Sequence, residues 1–185
     1  MPSPIAHGMI SLSIYSLYNR NFVFKNIKGG KYNKLILYIL LLSILPDIDF
    51  LGVYLVNNDS IHGGLTHSIT FAFIICLIIK ATKFRLLPVF FCFIIIIGHT
   101  IIDMCTINGY YPGTKQILWP FSENRYTFNK TFGFFNSLDW ADSKSFYSIL
   151  TLFSLVKEIF IGITIYSVIV VFRNAYSILK NRYDR

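Results

Sequence analysis

The chain has 185 residues, 54% of them hydrophobic and 17% aromatic, with only 14% charged and a net charge of +8. That charged share is well below the roughly 25% of ordinary soluble domains, which excludes a water-soluble domain and points to a membrane protein. The basic excess does not mark a nucleic-acid face, because twelve of the seventeen lysines and arginines fall into three short groups that flank apolar runs, residues 20–34, 80–85 and 173–185.

Five apolar runs follow one another, each reading as helix because strict alternation is absent. The first, Pro4 to Tyr18, follows Ser3 as an N-cap and carries proline in its first turn. It lacks the cationic leader and small-residue cleavage site of a signal peptide, so it is expected to stay on the mature protein. Residues 19–34 then carry Arg20, Lys25, Lys28, Lys31 and Lys34 without an acid. The second run, Leu35 to Val56, is broken at Pro46 and holds Asp47 and Asp49. A turn reading "HGGLTH" leads to the third run, Leu65 to Ile79, and Lys80, Lys83 and Arg85 follow. The fourth, Leu86 to Ile102, ends in "GHTIIDMCT", where His99 and Asp103 stand four residues apart and share a helix face. The fifth, Leu155 to Phe172, has Lys157 and Glu158 at its start and Arg173 after it, with Phe146 to Phe153 expected to lie along the surface. Cys76, Cys92 and Cys105 show no CxxC spacing and read as small buried residues.

These runs define an all-α integral membrane helical bundle, one domain over residues 1–185, with about four to five membrane helices. The three basic segments mark the cytoplasmic side by the positive-inside rule. Alternation then places the N-terminus outside, the C-terminus in the cytoplasm, and His7, Asp47, Asp49, His62, His67, His99 and Asp103 all toward the outer end. The expected location is a membrane, crossed several times.

Between Lys34 and Lys80, and between Arg85 and Lys115, there is no lysine or arginine. A carboxylate buried there without a counter-charge is costly and usually functional. Imidazole and carboxylate are the ordinary ligands of zinc and similar ions, and seven candidates exceed the needs of one tetrahedral ion, so two or three divalent ions are expected near one interface. Taken singly, each residue has a plainer reading: Asp-x-Asp after proline also makes turns and caps, and a lone intramembrane histidine also bonds a neighbouring helix. Their convergence on one level favours metal.

The motifs "SPIAH" (3–7), "LPDIDFL" (45–51), "HGGLTHS" (62–68), "GHTIIDMCT" (98–106) and "ILWPFSENRY" (117–126) together resemble the membrane-bound metal-dependent hydrolase family, the YdjM-like, LexA-regulated inner-membrane proteins. The resemblance runs to about Tyr126 and implies a location in the inner membrane. It implies a distant similarity to zinc-dependent phospholipase C and P1-type nucleases, with His7, Asp47, Asp49, His62, His67, His99 and Asp103 as metal ligands. The family usually has an arginine directly after the first histidine of its histidine turn, where this chain has Gly63, so a cation that orients substrate or a carboxylate is missing there. Arg125 is a candidate anion contact for substrate.

The expected function is metal-dependent hydrolysis of a phosphoester or phospholipid-like substrate through a metal-activated water, with Asp47 or Asp49 as proton acceptor. The lipid bilayer is the expected partner, and no nucleic acid is. Alternatives from other classes are a metal-ion or proton-translocating protein and a non-catalytic, metal-stapled membrane protein.

Overall fold

The computed structural model describes residues 2–19, 30–58, 61–82, 86–107, 114–128, 135–136 and 149–183. Of the basic segments, positions 20–29 and 83–85 lie outside the described residues, as does most of the stretch between 108 and 148.

The described residues form six α-helices in the order of the five apolar runs, the second run giving two of them. Helix α1, Pro4–Tyr18, starts where its cap dictates: Ser3 Oγ accepts from the Ala6 amide at 3.2 Å. Helix α2, Gly30–Ile44, runs into a 3-10 turn, Leu45–Ile48, and continues as α3, Asp49–Val56. Pro46, in the first turn of that 3-10 element, withholds the amide an uninterrupted α-helix needs. Asn57 then ends α3 in the left-handed region, at φ 52°.

A second 3-10 turn, Leu65–His67, precedes α4, Ile69–Ala81. The third run therefore becomes α-helical four residues later than its apolar length suggests, because Ser68 is the N-cap, its hydroxyl accepting from the Phe71 amide at 3.0 Å. Helix α5, Val89–Met104, begins after Pro88. The last helix, α6, Ile149–Tyr183, is 35 residues long. No proline interrupts it, and Phe153, expected along the surface, sits inside its first turns. Apart from a parallel two-residue pair, Thr106–Ile107 with Phe135–Asn136, and a bridge between Lys115 and Tyr126, the described residues form no β-structure.

Helix α1 packs against α6, α2 and α5, and α4 packs against α5. The main core lies among α1, α2, α4 and α5, built from Leu12, Tyr15, Ile39, Leu42, Ala72, Cys76, Cys92, Ile95 and Ile96. The three cysteines are free, with Cys76 and Cys92 buried. Helix α6 runs parallel to α1 and holds both of its ends. Both carboxylate oxygens of the buried Glu158 accept from the Ser3 amide, at 3.2 and 3.1 Å, and Arg173 Nη1 donates to the Ser16 carbonyl at 3.2 Å. An acid at the N-terminus and a cation at the C-terminus is the arrangement the α1 dipole favours. Between them Gly162 lets the two helices close on Met9, whose side chain lies 2.9–3.0 Å from where a Cβ would stand.

Among the described residues two helices are long and apolar enough to cross a membrane, Asn33–Val56 and Leu152–Tyr176; Ile69–Ala81 and Val89–Met104 are shorter apolar helices.

Candidate metal centre

Helix ends and turns bring six of the seven expected donors together. His7 comes from the second turn of α1, Asp47 from the 3-10 turn after α2, His62 and His67 from the turn before α4, and His99 and Asp103 from the last turns of α5. Asp47 is thus carried by the 3-10 turn that holds Pro46, between α2 and α3. Two donor groups result, Asp47, His62, His67 and Asp103 in one and His7, Asp47 and His99 in the other, with the donor atoms of each within 4.8 Å of one another.

The donor atoms are spaced as ligands are. His7 Nε2 lies 3.3 Å from Asp103 Oδ1, and His67 Nε2 lies 3.3 Å from Asp103 Oδ2 and 3.7 Å from Asp47 Oδ1. His99 Nε2 lies 3.2 Å from Asp47 Oδ1 and 3.6 Å from Asp103 Oδ2. Neighbouring ligands held about 2.0–2.1 Å from a tetrahedral zinc stand about 3.3–3.4 Å apart. His7, His67 and Asp103 are 0% exposed, yet His7 Nε2, Asp47 Oδ1, His67 Nε2, His99 Nε2 and Asp103 Oδ1 make no hydrogen bond. Buried polar atoms without partners are rare and costly, and here they all face one another. The donor set fits one or more divalent cations.

A layer of hydrogen bonds behind the donors fixes which nitrogen faces inward. His99 Nδ1 donates to the Ser43 carbonyl at 2.6 Å, leaving Nε2 with its lone pair toward the cluster. Asp49 does this for the histidine turn. Its Oδ1 accepts from His62 Nδ1 at 2.9 Å, and its Oδ2 accepts from the Gly63 amide and the Thr66 hydroxyl at 3.0 and 2.9 Å. His67 Nδ1 lies 3.2 Å from the same oxygen. Asp49 thus stands one layer out from the donor atoms, gripping the ligands as carboxylates behind metal-bound histidines do. The stacked rings of His7 and His99, with centroids 3.9 Å apart, tie α1 to α5 at the same level.

The cation missing at position 63 arrives from elsewhere. Lys115 is 2% exposed, and its Nζ lies 2.8 Å from Asp103 Oδ2 and 2.8 Å from His62 Nε2. Because His62 Nδ1 is committed to Asp49, Nε2 is free to accept from the ammonium; burial, and after it the Lys115 charge against the Asp49 pull, keeps His62 below the usual imidazole pKa. Gly63 makes room for this. At φ +78°, a Cβ there would lie 2.8 Å from Lys115 Cδ and 3.0 Å from the Thr114 carbonyl. Sequence reading missed Lys115: its one signal was that it ends the second interval free of lysine and arginine.

Arg125 is exposed and donates to the His62 carbonyl at 3.1 Å and to the Thr114 carbonyl at 3.4 Å. It therefore ties the histidine turn to the segment carrying Lys115. Beside Asp47, the least buried of the carboxylates in the donor groups, an apolar cavity of about 650 Å³ opens, lined by Pro4, Leu41, Ile44, Leu45, Ile48 and Phe50.

No curated protein and no solved structure matches the chain. The family model described as YdjM inner membrane protein matches residues 1–178, which carries the likeness well beyond Tyr126 and through most of α6.

Proposed function

The chain belongs to the YdjM inner membrane protein family, and from that membership and the buried donor cluster we propose that it is a membrane-embedded, metal-dependent hydrolase acting on a lipid-like phosphoester. The observation that carries this reading is the convergence of unpartnered donor atoms from four separate segments on one buried point. A divalent ion bound there supplies Lewis acidity and an activated water for attack on a phosphoester. Zinc suits the imidazole and carboxylate donors.

In this reading His7, Asp47, His62, His67, His99 and Asp103 are the donors available to divalent metal, while Asp49 and the Ser43 carbonyl orient the imidazoles. Asp47 has two faces, one toward the donors and one on the apolar cavity. It is the carboxylate placed to take a proton where substrate meets the site. The cavity beside it supports a lipid, whose chain can reach the centre from the bilayer with its phosphoester held at Asp47. Arg125, facing solvent next to the histidine turn, is the proposed outer anion contact.

We take the chain to cross the inner membrane several times, with four to five membrane helices. The donors lie toward the outer face and the C-terminus in the cytoplasm, as the basic segments support. The apolar core seals the other end of α1, α2, α4 and α5, which argues against a through path for ions or protons.

The test begins with metal. Protein purified in mild detergent without chelator is expected to carry at least one zinc, manganese or iron per chain, and His99→Ala or Asp103→Asn to lose most of it. Hydrolysis in a panel of phospholipids and simple phosphoesters should be abolished by chelation, restored by zinc and absent in His99→Ala. A metal-free protein equally heat-stable with and without zinc overturns the reading, since a bound ion must stabilise the fold that presents its ligands. Metal content without turnover on any substrate would leave the metal-stapled alternative standing.

A further inference from the structure

We propose that the Lys115 ammonium is a resident cation of this centre, filling one of its two cation positions, so that the chain binds one divalent ion tightly where its donors would otherwise hold two. The inference rests on the metal-centre reading above and adds its stoichiometry and regulation.

The two donor groups differ in one respect. Among the described residues, no lysine or arginine atom bonds to His7, Asp47 or His99. The other group has two of its four members, His62 and Asp103, already bound to Lys115 Nζ at 2.8 Å each. A divalent ion binding all four of that group would have to take His62 Nε2 from the ammonium, because Asp49 holds the other ring nitrogen, and would also bring a second dication close to a fixed positive charge. The lysine is not a stray surface chain folded inward. Its backbone is locked by paired hydrogen bonds with Tyr126, 2.9 Å in each direction, and the neighbouring Gln116 amide donates to the Gly63 carbonyl at 2.8 Å. Gly63 supplies the notch its side chain crosses. The fold thus delivers a monovalent, non-exchangeable cation to a position that matches a metal site in its donors.

The experiment is a zinc titration of chelator-stripped protein in detergent, read by calorimetry and by bound metal after gel filtration, on wild type, Lys115→Met and Lys115→Arg. The wild type and Lys115→Arg should bind one zinc per chain tightly, with any second ion at least about tenfold weaker. Lys115→Met should bind two with comparable affinity. Two equally tight ions in the wild type, or one in Lys115→Met, overturn the proposal while leaving the metal-centre reading intact; no tight zinc in the wild type overturns both. Amine acylation of the wild type followed by peptide mass spectrometry reads the same point without any substitution. Lys115 should stay unmodified at one equivalent of zinc and react only at the excess that fills the second position. Acylation of Lys115 already at the first equivalent overturns the proposal.

Discussion

Asp49 and His99 make opposite kinds of contact with the centre, and substitution should separate them. His99 offers a bare nitrogen to the cluster, so His99→Ala removes a donor outright. Asp49 offers none, but both its oxygens are occupied by the histidine turn. Asp49→Asn should therefore keep the donors and blur their aim, lowering zinc affinity by about 10–100-fold, read by competition with a chromophoric chelator. Wild-type affinity in the Asp49→Asn protein would remove the orienting role. Lys115→Met should also behave differently with and without metal: stripped of metal it leaves Asp103 without its cation, a loss of about 3–5 kcal/mol for a buried pair, and zinc should restore its melting temperature by more than it raises that of the wild type. The donors were legible in the sequence because charge and imidazole inside apolar runs have few uses. The order of Asp47 and Asp49 was not, since Asp-x-Asp spacing says nothing about which carboxylate faces inward once the helix tightens at Pro46. Lys115 was not legible either. It sits in a polar, Gly- and Pro-containing stretch that reads as loop, and only the fold brings it against Asp103 and His62.

At the scale of elements, the apolar runs announced every helical segment, and the differences arise where a cap or a proline overrules hydrophobicity. Ser68 delays α4, Pro88 delays α5, and nothing stops α6 from growing at both ends. The contact between α1 and α6 could not be read from pattern, because it depends on a glycine meeting a methionine far away in sequence. Gly162→Ala would set a Cβ 2.9–3.0 Å from Met9 Cε, Cβ and Sδ. Overpacking of this kind costs about 1–3 kcal/mol, to be read by thermal unfolding in detergent. Adding Met9→Ala should recover part of the loss, so that the double variant is more stable than the sum of the two single changes allows. Additivity of the two would mean that α1 and α6 already have slack at this crossing.

For the whole molecule, the decisive property is orientation, and it is open to direct labelling. With Cys76, Cys92 and Cys105 replaced by serine or alanine, a single cysteine at the exposed Asn58 should react with a membrane-impermeant maleimide in cells whose outer envelope is permeabilised. One at Asn26, in the basic segment, should react only after lysis. Reaction of both from one side would mean that the segment holding α2 and α3 dips in and returns, and the outward-facing centre would have to be given up. The grip of α6 on both ends of α1 has a further consequence, which lies in time. His7 is made before the other five donors, yet the helix that carries it is held by Glu158, which bonds Ser3 across 155 positions. At about 5–20 residues per second the ribosome needs roughly 8–30 s to cover that distance. Once Asp103 is made all six donors are present, but the helix carrying His7 still lacks the hold of α6 until Glu158 follows, so the centre is secured last, by a helix that contributes no donor to it.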